Sequence, residues 1–380
     1  MTEELAKHWR QCAFRSMFIA GLCATSTSVV VSILQQQWDL SYSMTGTMLS
    51  MVVVGNITAS FLVGVLSQII GERMANLILS TGSCLGYLIL IVTGQPVWLC
   101  AGFLIIGLAK GTTLNTGTVL VKRSTDQPTR SVNLAHGFYA TGGLVCPFVI
   151  AMFGWGPWWL PMAALSVIGI GHVISFMVAK LPSRPDKVDK KRGEWGFLRQ
   201  PFFWVLTATL FFECGSEQAV TSWVVSYFKN SGILTGFYAD LTVTVVWGAM
   251  LLARLAIAFL IQFQDSFKAL IFMVLGCLVT YGGLLAAPGG FWALGALFLF
   301  GLAVAGANPT LIASGGSYIT PTALGVMIAT GCTGAVIMPY LVGVVAEGWG
   351  MTAGMACPLV GFVAMLILLM VCRKMQPKEN

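Results

Sequence analysis

The chain alternates long apolar stretches with short polar connections along its 380 residues. Most apolar stretches contain about 20 residues or more, enough for a helix to cross a ~30 Å hydrocarbon core. They are unbroken rather than alternating, which favours helices over transmembrane strands. The pattern predicts twelve spans, at residues 11–35, 45–69, 74–93, 97–121, 131–153, 157–179, 201–228, 237–262, 267–287, 291–313, 320–346 and 350–372.

One long polar segment, residues 180–200, separates six of these spans from the other six. It contains Pro182, Pro185 and seven Lys or Arg residues. We therefore expect an N-terminal six-helix bundle at 1–179, a basic linker at 180–200 and a C-terminal six-helix bundle at 201–380.

An internal repeat links the two predicted halves. Residues 141–147 (TGGLVCP) match residues 333–339 (TGAVIMP), and the GWG at 154–156 returns at 348–350. The two copies are offset by 192 to 194 residues. A chain built twice from one apolar unit predicts two similar bundles with a seam between them, where a cavity can open alternately to either side of a membrane.

Composition strengthens this interpretation. The residues are 57% hydrophobic and 9% charged, with a mean hydropathy of +0.83, whereas soluble domains are about 25% charged. A backbone in lipid must satisfy its own hydrogen bonds, and long apolar runs do so as helices. The sequence thus predicts an all-α membrane protein of twelve transmembrane helices in two pseudo-symmetric bundles. The ten cysteines form no C-x-x-C pair and are interpreted as small core residues.

Basic residues indicate the orientation. Eighteen of the 21 Lys and Arg residues lie in the N-terminus, the even-numbered connections, the C-terminus or at their edges, and the odd-numbered connections hold only Lys229. Positive charge concentrates on the cytoplasmic side, so we expect both termini and the 180–200 segment to be cytoplasmic, in a cytoplasmic (inner or plasma) membrane. This asymmetry accounts for the net charge of +7, and no nucleic-acid partner is expected.

Two acids near the middle of the seventh span are the first candidate site. Glu213 and Glu217 are four residues apart and share a helix face. Two carboxylates this close in a low dielectric should not both be ionised, and a carboxyl that takes up a proton is what coupling to a proton gradient needs. The alternative is a glutamate capped by hydroxyls or a cation.

Two cations at membrane depth need partners or water. Lys110 lies in the middle of the fourth span. It either pairs across the seam with Glu213 or Glu217, or contacts an anionic substrate. Arg254, in the eighth span, is expected to bond backbone carbonyls or an acid, in a gating or structural role.

His136 follows Asn133 by three residues at the start of the fifth span, so the two share a side of the helix. Histidine can relay protons near neutral pH, although a lone helical histidine is often a hydrogen-bonded interior group. His172, on an otherwise apolar face of the sixth span, is a weaker candidate.

Neutral polar and aromatic residues supply the remaining candidates for binding an uncharged solute. Asn115, Gln218 and Asn308 can bond hydroxyl groups, and Trp223 and Tyr227 can stack on a sugar-like ring. The alternative is that each joins two helices. The sequence has no phosphate loop, dinucleotide fingerprint, nucleophile elbow or helical His pair for a metal, so no catalytic residue, cofactor or metal is expected.

Residues 64–73 (GVLSQIIGER) resemble the Gly-x-Leu-Ala-Asp-Arg-x-Gly-Arg-Arg loop of the major facilitator superfamily. With twelve spans in two sixes and a basic central segment, the chain is identified as a member of that superfamily. The resemblance implies a gating or structural role for Arg73. Gln68 stands where the family has aspartate, which weakens the usual charge relay of this loop.

Three further motifs resemble the fucose permease-like branch, the fucose–galactose–glucose proton symporters. Residues 133–147 (NLAHGFYATGGLVCP) are similar to its fifth helix, 212–227 (FECGSEQAVTSWVVSY) to its seventh, and 308–310 (NPT) to the Phe-Pro-Thr of its tenth. This resemblance implies a sugar substrate and proton symport, carried by Glu217, Asn133 and His136.

Two differences from that branch mean that solutes other than sugars have to be considered. Its sugar permeases often have an acid in helix 1 and another in helix 4, but here those positions hold Ser26, Thr27 and Ser28, and Gly111 beside Lys110. The expected function is a monomeric secondary transporter moving a sugar or sugar-like solute by alternating access, with proton coupling. The alternatives are an organic anion transporter that uses Lys110, and a non-transporting nutrient sensor.

Overall fold

The structure is a computed structural model that describes residues 3–124, 128–153, 155–178, 181, 195–260, 263–314 and 321–375. Every regular element in these ranges is helical, in agreement with the predicted all-α class. The α-helices are α1 Glu3–Trp38, α2 Tyr42–Ile70, α3 Glu72–Ser80, α4 Gly82–Val92, α5 Pro96–Arg123, α6 Pro128–Phe153, α7 Leu160–Val178, α8 Pro201–Ser231, α9 Gly236–Asp240, α10 Thr242–Phe259, α11 Ser266–Leu285, α12 Gly290–Val304, α13 Ala307–Ala313, α14 Pro321–Trp349, α15 Met351–Gly354 and α16 Cys357–Met375.

The helices supply the twelve predicted spans. Ten spans in the described residues are long and apolar enough to cross a membrane, and α2, which bends by 44°, makes an eleventh. Four spans consist of two consecutive helices, namely α3 with α4, α9 with α10, α12 with α13, and α15 with α16. The twelfth span is α8, which is 31 residues long but too polar to meet the same criterion.

The chain divides into two compact units. The first comprises Met1–Leu40 and Thr47–Asp189, and the second comprises Ser41–Gly46 and Lys190–Asn380. Within the first unit, α1 packs on α5 and α6, while α4 packs on α5 and α7. Within the second unit, α8 packs on α14 and α16, and α12 packs on α10 and α11.

The repeated motif occupies the same kind of contact in each unit. A Cβ at Gly142 of α6 would overlap the carbonyl oxygen of Phe18 in α1, and a Cβ at Gly334 of α14 would overlap that of Phe211 in α8. Glycine is therefore required at both crossings, because the backbones touch directly. The repeat in the sequence is therefore also a repeat in the packing of one helix pair in each unit.

Candidate functional site

The polarity of α8 comes from the candidate acids and their neighbour Gln218. A helix this polar needs its polar side chains to face protein or water, because exposure to lipid would be costly. Much of α8 is buried, including Glu213, which has 0% of its surface exposed. Burial of its side chains, rather than an apolar sequence, therefore allows α8 to span.

Glu213 has one partnered and one unpartnered oxygen. Its Oε2 accepts a hydrogen bond from Asn308 Nδ2 at 2.8 Å. Its Oε1 is buried and has no donor among the described residues. The carboxyl group of Glu217, one turn along α8 and only partly buried, lies within hydrogen-bonding reach. Two ionised carboxylates have no hydrogen to share, so a hydrogen bond between these two groups requires a proton on one of them.

This acid pair has no cation to balance it within the second unit. None of the ion pairs formed by the described residues of that unit includes Glu213 or Glu217. A buried carboxylate that is neither paired nor fully hydrogen-bonded is expensive. The buried Oε1 of Glu213 therefore calls for a donor that the described residues of the second unit do not supply.

Asn308 reaches Glu213 because a broken helix presents it. α12 ends at Val304 and α13 begins at Ala307. Pro309 has no N–H, so the carbonyl of Ala305, four residues earlier, lacks its helical donor. Arg254 of α10 fills this gap, since its Nε donates to Ala305 O at 3.2 Å. The structure thus places Arg254 at the break that positions Asn308.

Cys214 adds a contact that sequence reasoning did not single out. Its Sγ lies 3.4 Å from Asn308 Nδ2, and its thiol also contacts that of Cys332 in α14. Its position next to Glu213 in the sequence was the available signal. Among the described residues, no three His, Cys, Asp or Glu side chains cluster in a way that could hold a metal ion.

The other candidates on α8 are engaged within the second unit. Gln218 Nε2 donates to Ser222 Oγ at 2.7 Å on the same helix. Trp223 is fully buried, and its indole Nε1 donates to Pro339 O at 2.9 Å. Tyr227 is buried with its ring centroid 5.6 Å from that of Phe228. Stacking of Trp223 or Tyr227 on a solute stays a prediction and would require these rings to be uncovered.

Lys110 and Asn115 lie on α5, and both are partly buried. Lys110 is close enough to the buried Cys23 of α1 to interact with it electrostatically. No acid in the described part of the first unit forms an ion pair with Lys110. Its pairing with Glu213 or Glu217 would join one unit to the other and stays a prediction, as does its contact with an anionic substrate.

The candidates on α6 and α7 differ in exposure. His136 is exposed, and the side chain of Asn133 lies outside the described residues. His172, the weaker candidate, is instead buried within the first unit, with Nε2 2.8 Å from Thr113 Oγ1. Arg73 Nη2 donates to Met177 O at 3.1 Å, which satisfies a carbonyl in the last turn of α7.

With the helices and the acid pair defined, comparison with known proteins establishes the class. The sequence profile of the Major Facilitator Superfamily matches residues 13–322. The chain belongs to this superfamily, and it is an integral membrane transporter of small solutes rather than an enzyme.

Individual relatives are distant. The chain is 23% identical to Bypass of stop codon protein 6 of Saccharomyces cerevisiae over 340 residues, covering 78% of this chain and 68% of the relative. It is 20% identical to the Protein TsgA homolog of Buchnera aphidicola over 270 residues, covering 68% of this chain and 67% of the relative.

Solved structures confirm the fold. An aspartate-to-alanine mutant of the nucleoside transporter NupG matches with a TM-score of 0.80 at 12% identity, over 98% of this chain and 100% of the other. A bacterial homolog of the human lysosomal transporter Spinster, in an inward-facing and occupied conformation, matches with a TM-score of 0.79 at 10% identity, over 99% and 98%. Identities this low establish a shared fold and no shared substrate.

Proposed function

We propose that the chain is a proton-coupled transporter of a sugar or sugar-like solute, with Glu213 and Glu217 as the groups that carry the proton. The observation behind this proposal is the buried Glu213 Oε1, which lacks a donor while a second carboxyl lies within reach. One proton stabilises a site of this kind in two ways, because it removes one of two charges and provides a hydrogen-bond donor.

The two acids take different parts in the proposal. Glu213 is fully buried and held by Asn308, so it keeps the proton away from water. Glu217 is only partly buried, so it exchanges that proton with the transport pathway. A solute hydroxyl that bonds Glu217 would then favour one protonation state of the pair, which couples the two fluxes.

Support for a hydroxylated solute comes from the amide groups and from a neighbour. Gln218 and Asn308 lie within one helical turn or one hydrogen bond of the acids. Side-chain amides both donate to and accept from hydroxyl groups. NupG, which shares the fold, is described as a nucleoside transporter, and a nucleoside carries a ribose ring.

The two halves of the chain and their orientation in the membrane complete the proposal. The halves 1–179 and 201–380 would act as the two moving bodies of an alternating-access cycle. The excess of Lys and Arg in the even-numbered connections supports cytoplasmic termini in a cytoplasmic membrane. We further propose that one chain suffices for transport.

Uptake into proteoliposomes tests the coupling. A thermal-shift screen of sugars and nucleosides would first identify a solute, since a ligand of the folded state raises its stability. An inward proton gradient should then accelerate uptake by the wild-type protein. Glu213→Gln and Glu217→Gln keep the shape and hydrogen-bonding capacity of the side chain. In each variant the increase in uptake rate caused by the gradient should fall roughly tenfold or more, while exchange of labelled solute continues.

Asp240→Asn is the matched control. Asp240 is another partly buried acid of the second unit, but it pairs with Lys229 at 2.9 Å, so its charge is balanced by a cation. This variant should keep the response to the gradient. If the Glu213→Gln, Glu217→Gln double variant responds to the gradient as the wild type does, the acid pair does not carry the proton.

One observation favours the organic anion alternative. Lys110 is partly buried, with no ion pair in the described part of the first unit, and a carboxylate on the solute would neutralise it. Lys110→Gln should then abolish the thermal shift produced by carboxylates and leave that produced by neutral sugars unchanged. An equal effect on both solute types would exclude a dedicated anion contact.

A further inference from the structure

The surface of the first unit contains an apolar groove between α1, α6 and α7. Its volume is about 420 Å³. The groove is lined almost entirely by apolar atoms, including those of Phe14, Phe18, Phe138 and Ile174, with Arg15 as the lone cation in the lining. None of the candidate transport residues lines it.

The groove opens outward. Phe138, Ile174 and Val178 are 39%, 52% and 58% exposed. Large apolar side chains exposed on one face of a spanning helix are better accommodated by lipid than by water. Phe14 and Phe138 stack with ring centroids 4.8 Å apart, so one wall of the groove is an aromatic pair bridging α1 and α6. The space is therefore a concave apolar groove, suited to lipid, with two stacked aromatic rings along one side.

The length of the groove matches one leaflet of a bilayer. It extends along α7 from Val178, the last residue of that helix, to Ile168. At 1.5 Å per residue this distance is about 15 Å, which is half of a ~30 Å hydrocarbon core. One acyl chain of a phospholipid, running from its glycerol to the membrane midplane, has this reach.

Arg15 is directed toward the polar end of the groove. Its Nε donates to Gln11 O at 3.1 Å, so the side chain runs back along α1 toward the N-terminal end of that helix. Cys12, close to Gln11, contacts Ser175 O at 3.7 Å, which places this part of α1 beside the last turn of α7. The guanidinium thus lies near the level at which α7 ends, and Arg15 forms no ion pair with any described residue.

We propose that this groove binds an anionic phospholipid, with one acyl chain along the groove and its phosphate on the Arg15 guanidinium. A guanidinium holds a phosphate through two parallel hydrogen bonds. The apolar lining accounts for the chain, and the single cation accounts for the charge. A lipid with net negative charge is preferred because a zwitterionic headgroup carries its own cation to the same place.

The test compares lipids with identical chains. Purified wild-type protein in detergent is titrated with dioleoyl phosphatidylglycerol, dioleoyl phosphatidylcholine or inorganic phosphate, while bound lipid is counted by native mass spectrometry and thermal unfolding is followed in parallel. We expect phosphatidylglycerol to bind about tenfold more tightly than phosphatidylcholine, because both lipids offer Arg15 a phosphate but choline brings a second cation beside it. Inorganic phosphate alone should produce no shift.

Two variants separate the headgroup from the chain. Arg15→Gln should remove the preference for phosphatidylglycerol, lowering its affinity to about that of phosphatidylcholine, while Arg15→Lys should keep part of the preference. Gly171→Phe should weaken both lipids, because Gly171 lines the groove and a Cβ there meets open space. Gly283→Phe is the control, since Gly283 is also exposed with open space around its Cβ but lies on α11.

Equal binding of both lipids by the wild type, or wild-type preference in Arg15→Gln, would overturn the headgroup contact. Phosphatidylglycerol binding that persists in Gly171→Phe would overturn the groove. If Gly171→Phe unfolds at a lower temperature than Gly283→Phe in lipid-free detergent, its weaker lipid binding reflects a destabilised fold. The proposal is then tested by the Arg15 variants only. A thermal shift with inorganic phosphate equal to that with phosphatidylglycerol would make the site an anion site and contradict the proposal.

Discussion

The first helices of the two units, α1 and α8, share a scaffold and differ in chemistry. Phe18 of α1 and Phe211 of α8 each contact a glycine of the repeated motif through a carbonyl oxygen, and they are 193 residues apart. At the same offset, Glu213 and Glu217 of α8 correspond to Ala20 and Ala24 of α1.

Burial follows the same order at the two sites. Ala20 and Glu213 are buried, with 2% and 0% exposed, whereas Ala24 and Glu217 are partly buried. The repeated scaffold therefore defines one buried and one half-buried position in each unit. Only the second unit has acids at these positions. The repeated residues therefore account for the shared helix packing, and the residues that differ between the units account for the proposed coupling.

Transferring the inner acid to the first unit should have the largest effect. Ala20→Glu places a carboxyl at the buried position equivalent to Glu213, where the native residue is an apolar alanine that needs no hydrogen-bond partner. A charged residue at a helix centre costs about 3 kcal/mol, and the thermal unfolding temperature in detergent should fall accordingly.

Ala20→Gln is the control for that experiment, because it has the same shape without the charge. It should cost less than Ala20→Glu. If the two variants unfold at the same temperature, the cost of the substitution comes from the size of the side chain and not from its charge. The difference between α1 and α8 at this position would then not be electrostatic.

The scaffold could be predicted from the sequence more completely than the site. Apolar length and the repeat are local or periodic signals, so the spans were located to within a few residues at most ends. α1 nevertheless begins at Glu3 rather than residue 11, because charged residues outside the hydrocarbon core can continue a helix that the apolar pattern cannot detect. The shared face of Glu213 and Glu217 followed from spacing alone.

The contacts of that face could not be predicted, because they depend on packing between distant segments. The bond from Asn308 to Glu213 joins residues 95 positions apart and requires the break before α13. Pro309 was a visible signal for that break, but the donor that repairs it, Arg254, is identified only by the fold. Trp223 was grouped with the acids by sequence, whereas its indole turns to α14.

The glycine crossings should show a smaller and symmetrical effect. Gly142→Ala and Gly334→Ala each force a methyl group against a backbone carbonyl of the neighbouring helix, and we expect each to cost about 2 kcal/mol, within the range for overpacking. Thermal unfolding of the purified variants measures this cost. Gly283→Ala, where a Cβ meets open space, should cost nothing, and unequal losses at Gly142 and Gly334 would show that the two crossings are not equivalent.

The smallest effect is expected for two acids at the ends of spans, one in each unit. Glu72 and Asp265 are 193 residues apart and stand at the starts of α3 and α11. Glu72 pairs with Arg123 at 2.9 Å, whereas Asp265 lies 3.7 Å from Lys268 and 3.8 Å from Arg373. Asp265 also accepts a hydrogen bond from Lys268 N at 3.0 Å, which caps α11.

That capping bond, together with the nearby Arg373 and Lys268 charges, lowers the pKa of Asp265. A lowered pKa in the folded state means that the carboxylate stabilises the fold above its unfolded pKa of about 3.9 and loses this contribution as the pH falls through its folded value. Asp265→Asn keeps a capping oxygen but removes the charge, so it should cost less than about 1 kcal/mol at pH 7, because the site is partly exposed. Thermal unfolding of both proteins between pH 7 and pH 3 should show the difference shrinking below about pH 4. A difference that stays constant across this range would mean that the charge of Asp265 does not stabilise the second unit.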